Sequence, residues 1–306
     1  MMSRQELAIV RTVTYASLFD YPLTLEQLRL TLISLEMSRD EILATYDGSA
    51  RLRSMIDYRD GFFFPAGRGD LVGERRRREA RSREFLARHA RLLQWVCALP
   101  FTRTVALSGS IAHLNLEDGG DLDLFIVTRG RRVWMVTVAM ILMTRLLGAR
   151  RIVCANLVMS DTHLAIEEEA QDLFTANQVL HLKPLFGMEV LEGFVAANPF
   201  VAMFYPNHAP RAAAGFAIHR GRALRWLKAA AEWLLIVPSP ALEALCRHAY
   251  AWHLKRRSVS WRSPEQVRLQ PDYLKLHTHS HRQSVLEQFD RRVDEALGRG
   301  ERAAIA

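Results

Sequence analysis

Asp121 and Asp123 stand two residues apart at the head of the apolar run Leu124-Phe125-Ile126-Val127. In an extended segment that spacing puts both carboxylates on one face. Two acids held so close repel unless a cation lies between them, and a pair of oxygen ligands completed by water and phosphate oxygens suits Mg2+ (or Mn2+). Upstream, Val105-Ala106-Leu107 reads as a strand that Ser108-Gly109-Ser110 breaks, where bare backbone and hydroxyls can approach phosphate oxygens. The expected chemistry is metal-assisted and acts on a phosphate chain. Asp121 and Asp123 are its metal-binding and catalytic carboxylates, and Ser108, Gly109 and Ser110 its nucleotide-binding turn. Ile111-Ala112-His113-Leu114 then opens a helix.

In these residues the chain resembles the DNA polymerase β-type nucleotidyltransferase superfamily, whose pattern is a hydrophobic residue, Gly-Ser, a spacer near ten residues, then Asp-hydrophobic-Asp. Leu107, Gly109, Ser110, Asp121 and Asp123 fill that pattern in order, with the ten residues Ile111 to Gly120 as spacer. The resemblance covers positions 105–160. It implies a palm-like α+β fold, two divalent ions, and attack of a hydroxyl on the α-phosphate of a nucleoside triphosphate with loss of pyrophosphate. Members of the superfamily usually carry a third carboxylate on a later palm strand. The candidate strand Arg151–Ser160 has none. Asn156 stands in it instead, and an amide is neither a base nor an anionic ligand. Asp161, just past that strand, and Glu167, Glu168 and Glu169 are the other carboxylates that could reach in.

The elements that must position this turn and strand are legible from periodicity and caps. Residues 4–19 are spaced as a helix that Asp20-Tyr21-Pro22 stops, and Thr24…Gln27 and Ser38…Glu41 are capping boxes for two more. Leu52–Ile56 ends a helix, and a short strand pair reaches Phe62-Phe63-Phe64-Pro65 with Asp57–Asp60 as its turn. This element order resembles the winged-helix superfamily, without a diagnostic motif. In such a module Ser38–Tyr46 would face DNA, but it offers Arg39 beside Asp40 and Glu41, which favours a packing role over DNA binding.

One long helix is expected from Asp70 to Leu99. Its Arg75, Arg76, Arg77, Arg78, Arg81, Arg83, Arg88 and Arg91 either line the entrance for a triphosphate or polynucleotide or form a solvated face. Val133–Leu147 is a helix behind the Asp121/Asp123 strand. Glu167–Leu182 is a helix closing the palm and ending at Lys183-Pro184, and Gly193–Pro210 an aromatic connection. Ala223–Ile236, Pro240–Arg257 and Ser284–Leu297 are helices. His277, His279 and His281 alternate, a spacing read as surface or acceptor-site histidines rather than a zinc site.

The expected fold class is therefore α+β. A winged-helix-like domain spans 1–68, a nucleotidyltransferase palm with a leading basic helix spans 69–190, and a helical C-terminal domain spans 191–306.

The chain's 306 residues are 49% apolar, enough for sizeable cores. Three scattered cysteines make no disulfide framework, and the N-terminus lacks a signal-peptide pattern, so the expected location is cytoplasmic. Val133–Gly148 and Ala229–Val237 fall short of a membrane span and read as buried helices, with no membrane partner expected. A net charge of +8 favours anionic partners, nucleic acid among them. The expected function is transfer of a nucleoside monophosphate from a nucleoside triphosphate to a hydroxyl acceptor on a small molecule, protein or RNA. The alternative is a catalytically weak or inactive regulatory protein that senses nucleotide or binds DNA.

Overall fold

A computed structural model describes residues 2–208, 216–261, 267–276 and 281–305. The fold is mixed α+β with two sheets. The first elements are α1 (Arg4–Ser17), β1 (Leu23–Thr24), α2 (Leu25–Leu30), α3 (Arg39–Gly48), α4 (Ala50–Met55), β2 (Ile56–Arg59) and β3 (Phe62–Pro65). The strands form an antiparallel sheet in the order β1-β3-β2 around a core that includes Ile9, Leu28, Ile42, Leu52 and Phe63. Both capping boxes form: Thr24 Oγ1 accepts from the Gln27 amide at 3.2 Å, and Ser38 Oγ from that of Glu41 at 3.3 Å. The hairpin turn is Asp60-Gly61, both at positive φ, rather than Asp57–Asp60. Asp-Gly is a hairpin signal, and it lets Asp57, Tyr58 and Arg59 pair within the sheet.

The helix expected over Asp70–Leu99 is two helices, α5 (Asp70–Arg88) and α6 (Ala90–Cys97), divided at His89. The buried face changes there. α5 buries Arg75 and Ser82, whereas α6 buries Leu93, Val96 and Cys97 in the core of the larger sheet.

That sheet is laid down by β4 (Thr102–Leu107), α7 (Gly109–Ala112), β5 (Leu122–Thr128), α8 (Val133–Leu146), β6 (Val153–Ser160), α9 (Leu173–Leu180), β7 (Lys183–Phe186), α10 (Met188–Ala196), α11 (Phe200–Phe204), α12 (Arg222–Leu235), α13 (Ser239–Arg256), β8 (Val267–Leu269), β9 (Tyr273–Leu276) and α14 (Arg282–Ile305). Its order is β7-β4-β5-β6-β9-β8. Among the described residues only β5 and β6 pair in parallel, through the α8 crossover; the other neighbours are antiparallel. Leu122, Leu124 and Ile126 of β5 pack with Leu93, Val96 and Trp134 on one face, and Phe125 and Val127 with Phe194 and Val201 on the other.

Several expected elements differ. The helix expected over Glu167–Leu182 is a 3-10 turn at Glu168–Ala170 and then α9, which begins where Asp172 accepts from the Thr175 amide at 2.9 Å. Lys183-Pro184 belongs to strand β7, and α10 and α11 occupy much of the expected 193–210 connection. The region 191–306 is not purely helical, because β8 and β9 return to extend the sheet beside β6. Of the histidine cluster, residues 277–280 lie outside the described residues. Ala229–Val237 is not a buried helix either, since α12 has no buried residue. Among the described residues no single helix is long and apolar enough to cross a membrane. α12 and α13 together pass the length and composition test but meet at 91°.

Candidate active site

Asp121 and Asp123 sit at the start of β5, on the face opposite Leu122 and Leu124, and both are half-buried. Two contacts fix Asp123 from the side of the small-residue turn. The Ser108 amide donates to its carbonyl oxygen at 2.9 Å, and Gly109, at φ +62°, lies against its carboxylate. A Cβ on Gly109 would stand 2.2 Å from Asp123 Oδ2, so the bare backbone is a steric requirement of the site.

From the other side comes β6. Leu124 pairs with Ala155 and Phe125 with Leu157, leaving Asn156 as the extra residue of a bulge. Its Nδ2 donates to Asp123 Oδ1 at 2.5 Å. Cys154 lies opposite Asp123 in the ladder, and its thiol donates to Asp121. Ligand atoms of Asp121, Asp123 and Cys154 all fall within 4.8 Å of one another.

The electrostatics follow from this crowding. Burial and then the neighbouring Asp121 push the Asp123 carboxyl up to about 7, against the lowering effect of the Asn156 amide. The Cys154 thiol is pushed up to about 12, first by burial and then by the two aspartates, so it is a neutral hydrogen-bond donor near pH 7. A divalent cation between the carboxylates would relieve their repulsion. Two carboxylate oxygens with a protonated thiol at their side fit Mg2+ or Mn2+, whereas a soft metal such as Zn2+ would draw in the sulfur as thiolate.

No third carboxylate joins the pair among the described residues. Asp161 accepts from the Gly130 amide at 2.7 Å, at the end of β5 opposite to Asp121. Glu167 is taken up by Gln270 at 2.9 Å and Arg268 at 3.6 Å. Asn156 is the residue that occupies the place beside Asp123.

The arginines of α5 brace the loop between Ser110 and Asp121. Arg75 stacks over Tyr21 at 3.7 Å and donates to the His113 carbonyl at 3.2 Å. Arg81 donates to the Leu116 carbonyl at 3.1 Å and pairs with Asp118 at 3.0 Å, while Arg78 reaches Glu117 at 3.4 Å. Arg77, Arg83 and Arg88 pair with glutamates of their own helix. The N-terminal unit grips the same loop: the Tyr21 hydroxyl donates to the His113 carbonyl at 3.0 Å, and Asn115 Nδ2 to that of Phe19 at 2.9 Å.

Two cavities open beside the carboxylates, and neither was visible in the sequence. One, of about 130 Å3, is lined by Ser108, Asp123, Asn156, Thr175, Gln178 and Lys275. Burial holds the Lys275 ammonium below its ordinary range. The other, of about 490 Å3, brings Cys154 and Asn156 together with Arg145, Arg150, His253 and Arg257. β9 places Lys275 there by pairing beside β6. Gln178 carried no signal.

No family model matches this chain, and no match to it was found among curated proteins or solved structures.

Proposed function

We propose that the chain is a metal-dependent nucleotidyltransferase that moves a nucleoside monophosphate from a nucleoside triphosphate to a hydroxyl acceptor. The observation that carries this reading is the packing of Gly109 directly against Asp123, which joins the small-residue turn and the paired carboxylates into one site. Asp121 and Asp123 would hold Mg2+ or Mn2+, which when bound stabilises charge on the phosphate oxygens. Lys275 in one cavity and Arg145, Arg150 and Arg257 in the other supply cations for the phosphate chain and the leaving pyrophosphate. The acceptor oxygen forms the new bond to the α-phosphorus as the bond to pyrophosphate breaks. Asn156 has no base to offer, so the acceptor's proton goes to solvent or to the phosphates.

A second reading, a nucleotide-sensing regulatory protein, is favoured by the amide at position 156. Its DNA-binding form has less support. Arg39 is held by Glu26 at 2.6 Å, and Arg29 then Arg39 bring that carboxyl down to about 2, so the first turn of α3 is already ion-paired.

Pyrophosphate release from each of the four nucleoside triphosphates, with Mg2+ or Mn2+ and cell extract as acceptor source, tests the proposal. Release that disappears in the Asp121→Ala/Asp123→Ala variant supports transfer. Full release by that variant removes the assignment, and binding without release favours the sensor.

A further inference from the structure

α12 turns inward a mixed face that carries its Lys228 and Glu232. Leu224, Lys228, Ala231, Glu232 and Leu235 are its half-buried positions. Lys228 Nζ donates to the carbonyls of Leu99 at 2.5 Å and Thr102 at 2.9 Å and to the Thr102 hydroxyl at 2.7 Å. Glu232 accepts from the Phe101 amide at 2.8 Å and pairs with Lys228 at 3.1 Å. These bonds fix which way the helix faces.

The opposite side is an apolar stripe of Trp226, Leu227, Ala230, Trp233, Leu234 and Val237, spaced as one helix face and its continuation. Trp226 is 75% exposed, Trp233 76% and Val237 85%. Arg222 and Arg225 flank Trp226 around a shallow surface depression. Residues 216–261 carry eight Lys and Arg but only two acids, Glu232 and Glu243. Glu232 is engaged as above, and Glu243 is buried and accepts from the Trp134 and Met135 amides at 3.0 and 2.8 Å. The exposed face of this segment therefore carries cations, indoles and aliphatic side chains with no carboxylate among them.

We propose that α12 is an interfacial anchor that seats the protein on a bilayer surface rich in anionic headgroups. Tryptophan and leucine on one face with arginine at its edge is the composition that lies at the boundary between headgroups and acyl chains, and the basic rim adds attraction to anionic lipid. The fourteen residues of α12 span only about 21 Å, too short to cross a bilayer, and the 91° bend into α13 breaks the pair as one straight span, which leaves α12 to lie along the surface. This inference is independent of the chemistry at Asp121 and Asp123.

The test is co-sedimentation of the full chain with phosphatidylcholine vesicles, with and without phosphatidylglycerol, read together with tryptophan emission. Binding to the phosphatidylglycerol vesicles is expected, with a blue shift and a decline as salt rises. The Trp226→Ser/Trp233→Ser variant should keep the native melt and need about tenfold more lipid. If that variant does not fold, Leu234→Gln carries the same comparison. No binding by the native chain, or equal binding by a folded variant, overturns the proposal. Self-association that the variant loses, without vesicle binding, would assign the face to a second copy.

Discussion

Asn156 Nδ2 lies 2.5 Å from Asp123 Oδ1, held there by a bulge in β6. An amide at this position quiets the carboxylate pair without adding charge. Replacing it by a carboxylate should therefore reverse the balance. Asn156→Asp is expected to cost about 2 kcal/mol in metal-free buffer, because a donor is exchanged for a third like charge, and Mg2+ or Mn2+ should restore the loss. Thermal melts with and without the ion decide it. A variant as stable as the native chain in metal-free buffer would mean that position 156 does not act on Asp123.

Gly109 and Gly61 separate steric demand from backbone strain. Both are at positive φ, but only Gly109 meets a neighbour, Asp123, where a Cβ would go; around Gly61 nothing lies within 4 Å. Gly61→Ala should cost about 1 kcal/mol from conformation alone, and Gly109→Ala about 3 kcal/mol or more with loss of metal binding. Denaturant melts of the two variants give the comparison. Equal costs would show that the turn does not press on the carboxylate.

The sequence made the local features of this site readable because they depend on neighbours in the chain. The Thr24 and Ser38 capping boxes, the alternation that puts Asp121 and Asp123 on one face, and the small-residue turn all follow from spacings of a few residues. What it hid was set by distant partners. Lys275 enters the site only because β9 pairs with β6 across more than a hundred residues, and Lys183 is in a strand only because β4 offers an open edge. In α12 the apolar run Ala229–Val237 read as buried, because the sequence could not say which face turns inward. Hydrogen bonds that Lys228 donates to the Leu99–Thr102 segment, and that Glu232 accepts from it, decide that.

His113 and His181 meet with ring centroids 4.0 Å apart and their planes tilted by 47°, beside Lys183 and Arg75. Burial, then the charges of Lys183 and Arg75, hold His113 down at about 3; His181 is also held well below its ordinary range. Both rings are neutral in the folded chain, whereas the unfolded chain protonates them below about pH 6.5. Their contribution to stability is thus fully present above that pH and is lost as pH falls towards the folded values. By pH 4.5 His113 alone should have forfeited roughly 3 kcal/mol. Melts of His113→Phe and the native chain across this window should converge as pH drops, and parallel curves would exclude the histidine as the source.

Cys154 distinguishes the kinds of metal the site can hold. With its thiol neutral and donating to Asp121, the sulfur is a bystander to oxygen-ligated ions. Cys154→Ser should therefore leave Mn2+ affinity within about twofold, since a hydroxyl can donate to the same carboxylate. Zn2+ should behave differently, because it lowers thiol pKa values and recruits thiolate, so its affinity should fall by at least about tenfold in the same variant. Titration calorimetry with both ions reads the contrast, along with the protons released. A loss of Mn2+ binding in Cys154→Ser would make the sulfur a ligand in its own right. That result would move the site away from magnesium-type phosphoryl chemistry towards a thiolate centre.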